Sequence, residues 1–405
     1  MQLEVNCPLI LPDDALDSNA LETLVFAWGR DVMLAAFAQA WQAQQPDDPT
    51  CPRCGASDSV GHGDKPYRLR TRFGVVALMR PRRRCAGCRH VFAVADGRLC
   101  PRVGRASAGL GEVAALAGTS WPFATAAWVL EELSGAPVSA EWLRQVTVAQ
   151  GARAAARAET TAHAVSRQEI EVVVTQAPAT VLVGMDGGWV RSRENTRGME
   201  GKVGVVATGR ERIGRTRNRL CGRRYAASFR SVETFAPLLY QAAAEVGVAR
   251  AERVLVLGDG AGWISSVAEW CFVDAEQRLD LWHLLDRAGD AVRAQRLAAA
   301  DARAVRDELD ARLRRGEVDA ALQLVAERLT SHTGQDFARY LRGQASHIVN
   351  AEALQAAGEV VGSGMVEKAV DLVINRRMKG RQGMSWSRAS ANAIVTQRAI
   401  ILNAA

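Results

Sequence analysis

The order of apolar runs between residues 171 and 283 is the feature that most constrains the fold of this 405-residue chain. Three strand-like runs come first, a helical run follows, and two further strand-like runs are separated by a short helical one. They are ATVLVGMDGGWVRS (179–192), GKVGVVATG (201–209), RRYAASF (223–229), a helix over 231–247 with Ser231 as N-cap, ERVLVLGDGAGWI (252–264) and QRLDLWH (277–283). This order predicts a mixed sheet that opens with an antiparallel meander and continues through parallel crossovers.

Two aspartates lie at or near the ends of strands in this region. The order is that of ribonuclease H-like proteins, in which the first and fourth strands are neighbours, so Asp186 and Asp259 are expected to face each other. Facing carboxylates repel, and their oxygens suit Mg²⁺ or Mn²⁺. The sequences DGG and GDG are also common turns, so each residue taken alone has an equally good turn interpretation.

A third carboxylate, Glu367, lies in GSGMVEKAVDLVINRRMKGRQGMSW (362–386), near the start of a helical pattern that Ser363 can cap. Val366, Val370, Val373 and Ile374 are expected to form its packed side. Glu367 would complete a two-metal site for phosphoryl transfer. The alternative is an acid favoured only by the positive end of the helix dipole. A basic run follows and is predicted to hold the DNA backbone: Arg376, Arg377, Lys379 and Arg381.

Two C-x-x-C pairs, Cys51/Cys54 and Cys85/Cys88, indicate a zinc ribbon. Four thiolates satisfy tetrahedral Zn²⁺ and leave no open position, which is typical of a structural site. The alternating sequence between the pairs predicts a hairpin with its turn at Phe73-Gly74. Four buried free cysteines are the alternative interpretation. The adjoining RPRRR run is either a solvated edge or a phosphate contact, and the latter is favoured for Arg82, Arg83 and Arg84.

Residues 123–151 have the pattern of a helix-turn-helix, with a break at Gly135 and Pro137 and with Ser139 as the next N-cap. Any helical hairpin has a similar pattern. DNA contact is the favoured interpretation, and Arg144 is its candidate residue. Residues 152–167 are expected to form a connecting helix. The arginine-rich loop 209–224 is expected at a hairpin tip. It is either solvated or clamps phosphate through Arg215, Arg217 and Arg219.

Composition favours a globular protein with a polyanionic partner, since 48% of residues are hydrophobic, the net charge is +7 and the pI is about 9.2. The start MQLEVNCPLILPDD has no signal-peptide pattern, and the most apolar window, 114–130, is short for a membrane span. The few cysteines suit a reducing compartment. A cytoplasmic, nucleoid-associated protein without a membrane partner is therefore expected. A small-molecule enzyme is disfavoured, because neither a P-loop nor a well-placed G-x-G-x-x-G is present.

Five stretches together resemble bacterial insertion-sequence transposases of the ISKra family, which are related to the Mutator-like DDE transposases. They are CPRCG with CAGC, MDGGWV, LGDGAGWI, LDLWHLLD and GSGMVEKAVDLVINRRMKGRQGMSWS. The resemblance implies a ribonuclease H-like core with its acidic triad on Asp186, Asp259 and Glu367. It also implies an accessory acid-x-x-His motif, here Asp280 and His283. A strongly helical segment precedes Glu367, as the relatives' insertion does, with breaks expected at Gly316 and Gly334. No tryptophan lies between Trp282 and Trp386, so the role that an insertion tryptophan has in some relatives is not carried over.

The predicted architecture is multidomain α/β. Its parts are an N-terminal helical segment (1–45), a zinc ribbon (46–100), a helix-turn-helix region with its connecting helix (101–170), the first part of the catalytic core (171–283), a helical insertion (284–361) and a C-terminal catalytic helix region (362–405).

The predicted function is transposition, with double-stranded transposon ends and target DNA as partners and a homodimer or larger assembly on DNA. Asp186 is expected to bridge two Mg²⁺ ions, and Asp259 and Glu367 to complete one shell each. An inactive DNA-binding regulator and a nuclease without strand transfer are the alternatives. Asp280 is either a structural partner of His283 or a competitor of Asp259 for the metal.

Overall fold

A computed structural model of the chain describes residues 2–14, 16–44, 50–94, 105–175, 177–214, 218–380 and 383–404. The chain divides into two compact units, Met1–Gln150 and Gly151–Ala405. Within the described ranges, every helix is too short or too polar to span a bilayer. The fold is mixed α/β, with many helices and a mixed five-stranded sheet.

In its described residues, the first unit contains a three-stranded antiparallel sheet, three helices and the first part of a fourth. Its elements are α1 (Ser18–Ala43), β1 (Ser59–Thr71), β2 (Gly74–Cys85), β3 (Val91–Ala93), α2 (Ala108–Ser120), α3 (Phe123–Ser134) and the first part of α4 (Ala140–Ser166). The predicted hairpin is confirmed. Its turn lies one residue earlier than expected, at Arg72-Phe73, because Gly74 already pairs with Thr71. Alternation along β1 buries Tyr67 and Leu69, which pack with Trp41 of α1.

Helices α2, α3 and α4 enclose a second small core that includes Leu110, Leu130 and Leu143. Gly135 ends α3 in the left-handed conformation, with φ of 62°. Ser139 caps α4 as predicted, its hydroxyl accepting the amide of Trp142 at 3.1 Å. The helix and the connecting helix predicted after it form a single 27-residue helix. The predicted connecting helix is therefore confirmed as the second half of α4, which continues without a break because no proline interrupts the run.

The second unit contains the five-stranded sheet, a two-stranded arm and the remaining helices. Its elements are β4 (Thr180–Val190), β5 (Met199–Ala207), β6 (Gly209–Arg212), β7 (Asn218–Cys221), β8 (Arg224–Ser228), α5 (Val232–Glu245), β9 (Arg253–Gly258), α6 (Gly262–Cys271), β10 (Glu276–Leu279), α7 (Leu281–Ala294), α8 (Ala299–Arg314), α9 (Val318–Arg328), α10 (His332–Gln344), α11 (Ala351–Ala356), α12 (Gly364–Val370), α13 (Arg376–Met378) and α14 (Arg388–Ala404). Short 3₁₀ turns lie at Val248–Arg250 and Ala345–His347, and a π-helical turn at Asp371–Asn375 joins α12 to α13.

The strand order in the large sheet is β10-β9-β4-β5-β8. The pairs β4–β5 and β5–β8 are antiparallel, whereas β4–β9 and β9–β10 are parallel. The predicted antiparallel opening, the parallel continuation and the neighbouring first and fourth strands are therefore confirmed. The arm, β6–β7, is the hairpin expected in the arginine-rich loop.

The two faces of the sheet are covered by different helices. Val183 and Met185 of β4 pack into a core that α5 and α6 share. The alternate residues of β4 face α12, and glycine at two of these positions permits a close approach. A Cβ on Gly184 would lie 3.0 Å from Cβ of Val366, and one on Gly188 would lie 2.6 Å from Cδ1 of Ile374. The valine and isoleucine side of α12 and the π-helical turn is buried here, as predicted.

Residues 281–356 form five helices, α7 to α11, over a core of their own that includes Leu284, Leu309 and Leu341. Gly316 ends α8 with φ of 72°, as expected. The break expected at Gly334 was wrong, because this residue lies inside α10. Ser331 caps that helix by accepting the amide of Gly334 at 3.2 Å.

Candidate carboxylate site

Asp186 lies inside β4 and not at its end, because the strand continues through Gly187 and Gly188 to Val190. The turn interpretation of DGG is therefore excluded by an unbroken ladder in which Asp186 pairs with Val203. Asp186 lies on the same face of β4 as Gly184 and Gly188, the two positions at which α12 approaches the strand. Its carboxylate accepts the amide of Gly187 at 2.6 Å.

Asp259 directly follows β9. The parallel register pairs Gly184 with Leu257, so continuing it by two residues places Asp259 at the level of Asp186. Asp259 accepts the amide of Ala261 at 2.9 Å, which closes a tight turn at the start of α6. The carboxyl group is half-buried and lies where the strand ends.

Glu367 lies in the first turn of α12 and is exposed. The helix that carries it packs on the glycine positions of β4, as described above. Burial, and then repulsion from Asp259 and Glu367, raises the pKa of Asp186 to about 6, against the lowering effects of the Gly187 amide and of His283. The negative charges of Asp259 and Glu367 therefore both act on Asp186.

Asp280 differs from these acids because it is fully buried and both of its carboxylate oxygens accept hydrogen bonds from the protein. It is the N-cap of α7 and accepts both the amide of His283, at 2.7 Å, and its Nδ1, at 2.9 Å. Its second oxygen accepts the amide of Ser363. The strand predicted to run through His283 therefore ends at Leu279, because capping by Asp280 begins a helix at Leu281.

The pKa values of Asp280 and His283 move in opposite directions from their ordinary values. Burial would raise the pKa of Asp280, but the hydrogen bonds from His283 and Ser363 outweigh burial and lower it. The bond to Asp280 raises the pKa of His283 to about 9 despite partial burial, and the charges of Asp259 and Asp186 add to this effect. The site therefore holds an imidazolium beside its carboxylates at neutral pH.

The sequence suggested that Ser363 caps α12 with its hydroxyl. This cap is not formed, because no amide of the helix donates a hydrogen bond to the Ser363 side chain. Its backbone amide instead donates to Asp280. Gly362 has a steric reason to be glycine, since a Cβ there would lie 3.2 Å from the indole of Trp282 and 3.5 Å from Oδ2 of Asp280. The GSG sequence thus brings the chain against the start of α7.

Two residues of the helical insertion (residues 284–361) reach the site and were missed by sequence reasoning. The hydroxyl of Tyr340 donates to the carbonyl of Asp259 at 2.9 Å, and Nε2 of Gln344 donates to the carbonyl of Gly260 at 3.3 Å. Both residues lie on α10, far along the chain from Asp259. Their polar atoms contact backbone carbonyls, so no sequence motif marks them.

The four predicted zinc ligands form a compact cysteine cluster (Cys51, Cys54, Cys85 and Cys88). Their sulfurs all lie within 4.8 Å of one another, with Sγ–Sγ distances of 3.7 Å between Cys51 and Cys88 and 3.5 Å between Cys54 and Cys85. A tetrahedral Zn²⁺ with ordinary Zn–S bonds needs sulfurs about 3.8 Å apart. The cluster can therefore bind a metal such as zinc.

Among the described residues, no other group of three or more Cys, His, Asp and Glu ligand atoms lies within that mutual distance. The three acids are thus less tightly grouped than the cysteines.

The predicted DNA-binding residues occupy different environments. In the first unit, Arg83 donates to the hydroxyl and carbonyl of Ser59, and Arg82 to the carbonyl of His62. Arg84 is exposed. Arg144 is paired with Glu141 along α4 at 2.6 Å.

In the second unit, Arg219 pairs with Glu211 across the arm at 2.6 Å, and Arg376 pairs with Asp371 at 3.0 Å. Lys379 is exposed. The assignment of Arg377 to a DNA-binding surface was wrong, because this side chain is 1% exposed and its guanidinium lies over the ring of Trp386. Arg215, Arg217 and Arg381 lie outside the described residues.

Comparison with known proteins places most of the chain in one family. The sequence model of a family described as "Uncharacterised protein family (UPF0236)" matches residues 63–405. The match contains the three acids, Asp280, His283 and the second cysteine pair, whereas Cys51 and Cys54 precede it. A search of curated proteins found no match. On the extent of the family match, the chain belongs to the UPF0236 family.

Proposed function

We propose that this protein is a DNA transposase that cleaves and joins DNA strands with Asp186, Asp259 and Glu367. One observation carries the proposal. The parallel register of β4 and β9, extended by two residues past the Gly184–Leu257 pair, brings Asp259, directly after β9, to the level of Asp186, and the helix carrying Glu367 packs on the glycines beside Asp186. Three segments far apart in sequence thereby bring carboxylates to the same part of the sheet, beside its central strand β4, in a basic protein.

We assign the five-stranded sheet to the ribonuclease H-like class. The strand order supports this assignment, because three antiparallel strands from β4 to β8 are extended on the other side of β4 by the parallel strands β9 and β10. The helical insertion between β10 and α12 agrees with the resemblance to ISKra-family and Mutator-like transposases.

The chemistry of the donors fits Mg²⁺ or Mn²⁺. The three acids offer only oxygen ligands, and burial, with repulsion from Asp259 and Glu367, raises the pKa of Asp186. Asp186, Asp259 and Glu367 would hold the ions. When bound, such ions supply activation of the attacking oxygen and neutralisation of charge on the phosphodiester and the leaving oxygen. Asp280 is not in this ligand set, because both of its oxygens already accept protein hydrogen bonds and the residue is fully buried.

The remaining groups suit a nucleic-acid substrate. The imidazolium of His283 provides a positive charge beside the acids, where a phosphate would be bound. Arg219, Arg376 and Lys379 are exposed cations that would contact the DNA backbone. In the first unit, the cysteine cluster would form a zinc ribbon that presents Arg84, and α3 with α4 would form a helix-turn-helix.

The proposal is tested with labelled DNA that carries both flanks of the gene, incubated with full-length protein and Mg²⁺ or Mn²⁺. Wild type, Asp186→Asn and Glu367→Gln are compared for nicked and joined products. Asp290→Asn, which removes an exposed carboxylate from α7, is the matched control. Metal-dependent joined products are expected from wild type and the control, and none from the two site variants.

Each alternative function gives a different result. Nicked but never joined DNA from wild type would indicate a nuclease without strand transfer. Specific binding without metal-dependent cutting in all four proteins would indicate a DNA-binding regulator. Full cleavage by Asp186→Asn would contradict the assignment of the site.

A further inference from the structure

The loop that carries Asp259 is held from outside the sheet by the helical insertion. Tyr340 and Gln344 are one helical turn apart on α10, so both side chains project from the same side. Their bonds to the successive carbonyls of Asp259 and Gly260 measure 2.9 Å and 3.3 Å. A single helix face thus fixes two consecutive peptide groups of the loop.

The close approach of α10 to this loop depends on the glycine at position 260. Gly260 has φ of 81°, and a Cβ there would lie 3.0 Å from the hydroxyl oxygen of Tyr340 and 3.1 Å from Cδ of Gln344. A side chain would therefore both strain the loop and displace α10. Because Oδ1 of Asp259 accepts the amide of Ala261 within the same turn, the orientation of the carboxylate depends on the backbone that α10 holds.

Tyr340 is itself firmly held. Its ring packs against the core of the insertion and lies 6.4 Å from the ring of Phe337, and the guanidinium of Arg287 lies 4.4 Å from its centroid.

We propose that Tyr340 is a positioning residue whose hydroxyl, assisted by Gln344, orients the Asp259 carboxylate for binding a divalent cation. The helical insertion would then tune the cation affinity of the site directly. This inference rests on the proposed function, because it takes the acids to be cation ligands.

The test is binding of Mn²⁺ to full-length, zinc-loaded protein, measured by electron paramagnetic resonance and calorimetry, with Asp186→Asn as the blank. Tyr340→Phe removes the hydroxyl and keeps the ring. Outer-shell partners of metal ligands typically contribute about ten-fold or more in affinity. We therefore expect the Mn²⁺ dissociation constant, and the Mn²⁺ concentration for half-maximal cleavage, to rise about ten-fold in Tyr340→Phe. Tyr240→Phe, on α5, should leave both unchanged.

The possible outcomes separate this inference from the proposed function. Wild-type binding no stronger than that of the Asp186→Asn blank would overturn both. Wild-type binding above the blank, with Tyr340→Phe equal to wild type, would overturn only the role of Tyr340. If Tyr340→Phe does not fold, Gln344→Leu serves instead, with a weaker Mn²⁺ affinity expected and an unchanged affinity counting against the inference.

Discussion

The backbone amide of Ser363 donates a hydrogen bond to Oδ2 of Asp280, which joins the start of α7 to the start of α12. The same carboxylate accepts two bonds from His283, and the amide of Asp280 donates to the carbonyl of Gly258 at 2.8 Å. One buried residue therefore links, through its carboxylate and its backbone amide, the segments that carry Asp259, His283 and Glu367. The insertion leaves the sheet and returns to it at this point.

Asp280→Asn should destabilise the protein. Whichever way the amide of the asparagine is turned, a buried NH₂ faces either the Ser363 amide or the amide of His283. An unsatisfied buried donor costs about 1–3 kcal/mol, so a loss of about 2 kcal/mol is expected in chemical denaturation. Asp286→Asn, on an exposed position of the same helix, is the control and should be neutral. Equal stability of the two variants would contradict the role assigned to Asp280.

His283 should keep its proton well above neutral pH. Its folded pKa of about 9 exceeds the ordinary value of 6.5, so its contribution to stability is complete below pH 6.5 and is lost as the pH rises through about 9. NMR titration of ¹⁵N-histidine-labelled protein, assigned with His283→Gln, should give a midpoint near 9. In a folded Asp280→Asn sample the midpoint should move toward 6.5, whereas an unchanged midpoint would contradict the proposed cause.

Gly184→Ala should push α12 away from β4. The added Cβ would lie 3.0 Å from both Cε of Met365 and Cβ of Val366, and the valine is buried in the packed side of the helix. Overpacking of this kind costs about 1–3 kcal/mol. Cleavage should fall further than the lost stability explains, because Glu367 follows Val366 directly.

Gly343→Ala on α10 is the matched control for that change. A Cβ at this position meets nothing within 4 Å, so alanine should stabilise the helix by about 0.5–1 kcal/mol. Thermal melts and cleavage rates of the two variants are compared side by side. Normal cleavage by a folded Gly184→Ala protein would show that Glu367 does not depend on this close approach.

The cysteine cluster should hold one zinc ion per chain. Cys85→Ser should lose this metal in elemental analysis, and the hairpin should become sensitive to protease, since structural zinc contributes directly to folding. Cys271→Ser removes a cysteine outside the cluster and should retain the metal. Retention of a full equivalent of zinc by Cys85→Ser would show that the metal, if present, is bound elsewhere.

Local sequence patterns predict much of the architecture. Alternation of apolar residues predicts β1 and β2, apolar runs predict β4, β5, β8 and β9, and the order of strands and helices predicts the neighbouring β4 and β9. The sequence also predicts that the two cysteine pairs lie close together, because the β1–β2 hairpin between them brings the second pair back beside the first. These features depend on short-range periodicity and on connection rules that hold for most sheets.

Other features depend on contacts between residues far apart in the chain. Local pattern alone does not distinguish the buried Arg377 from the exposed Lys379, or a strand residue from a helix cap at Asp280. The bond from Tyr340 to Asp259 joins the helical insertion to the loop that follows β9. The amino-acid sequence by itself therefore determined which carboxylates could meet. Only the tertiary structure decided that both carboxylate oxygens of Asp280 accept hydrogen bonds from the protein, whereas Asp186, Asp259 and Glu367 keep oxygens available for other ligands. The reason is that long-range packing determines which oxygens receive amide donors.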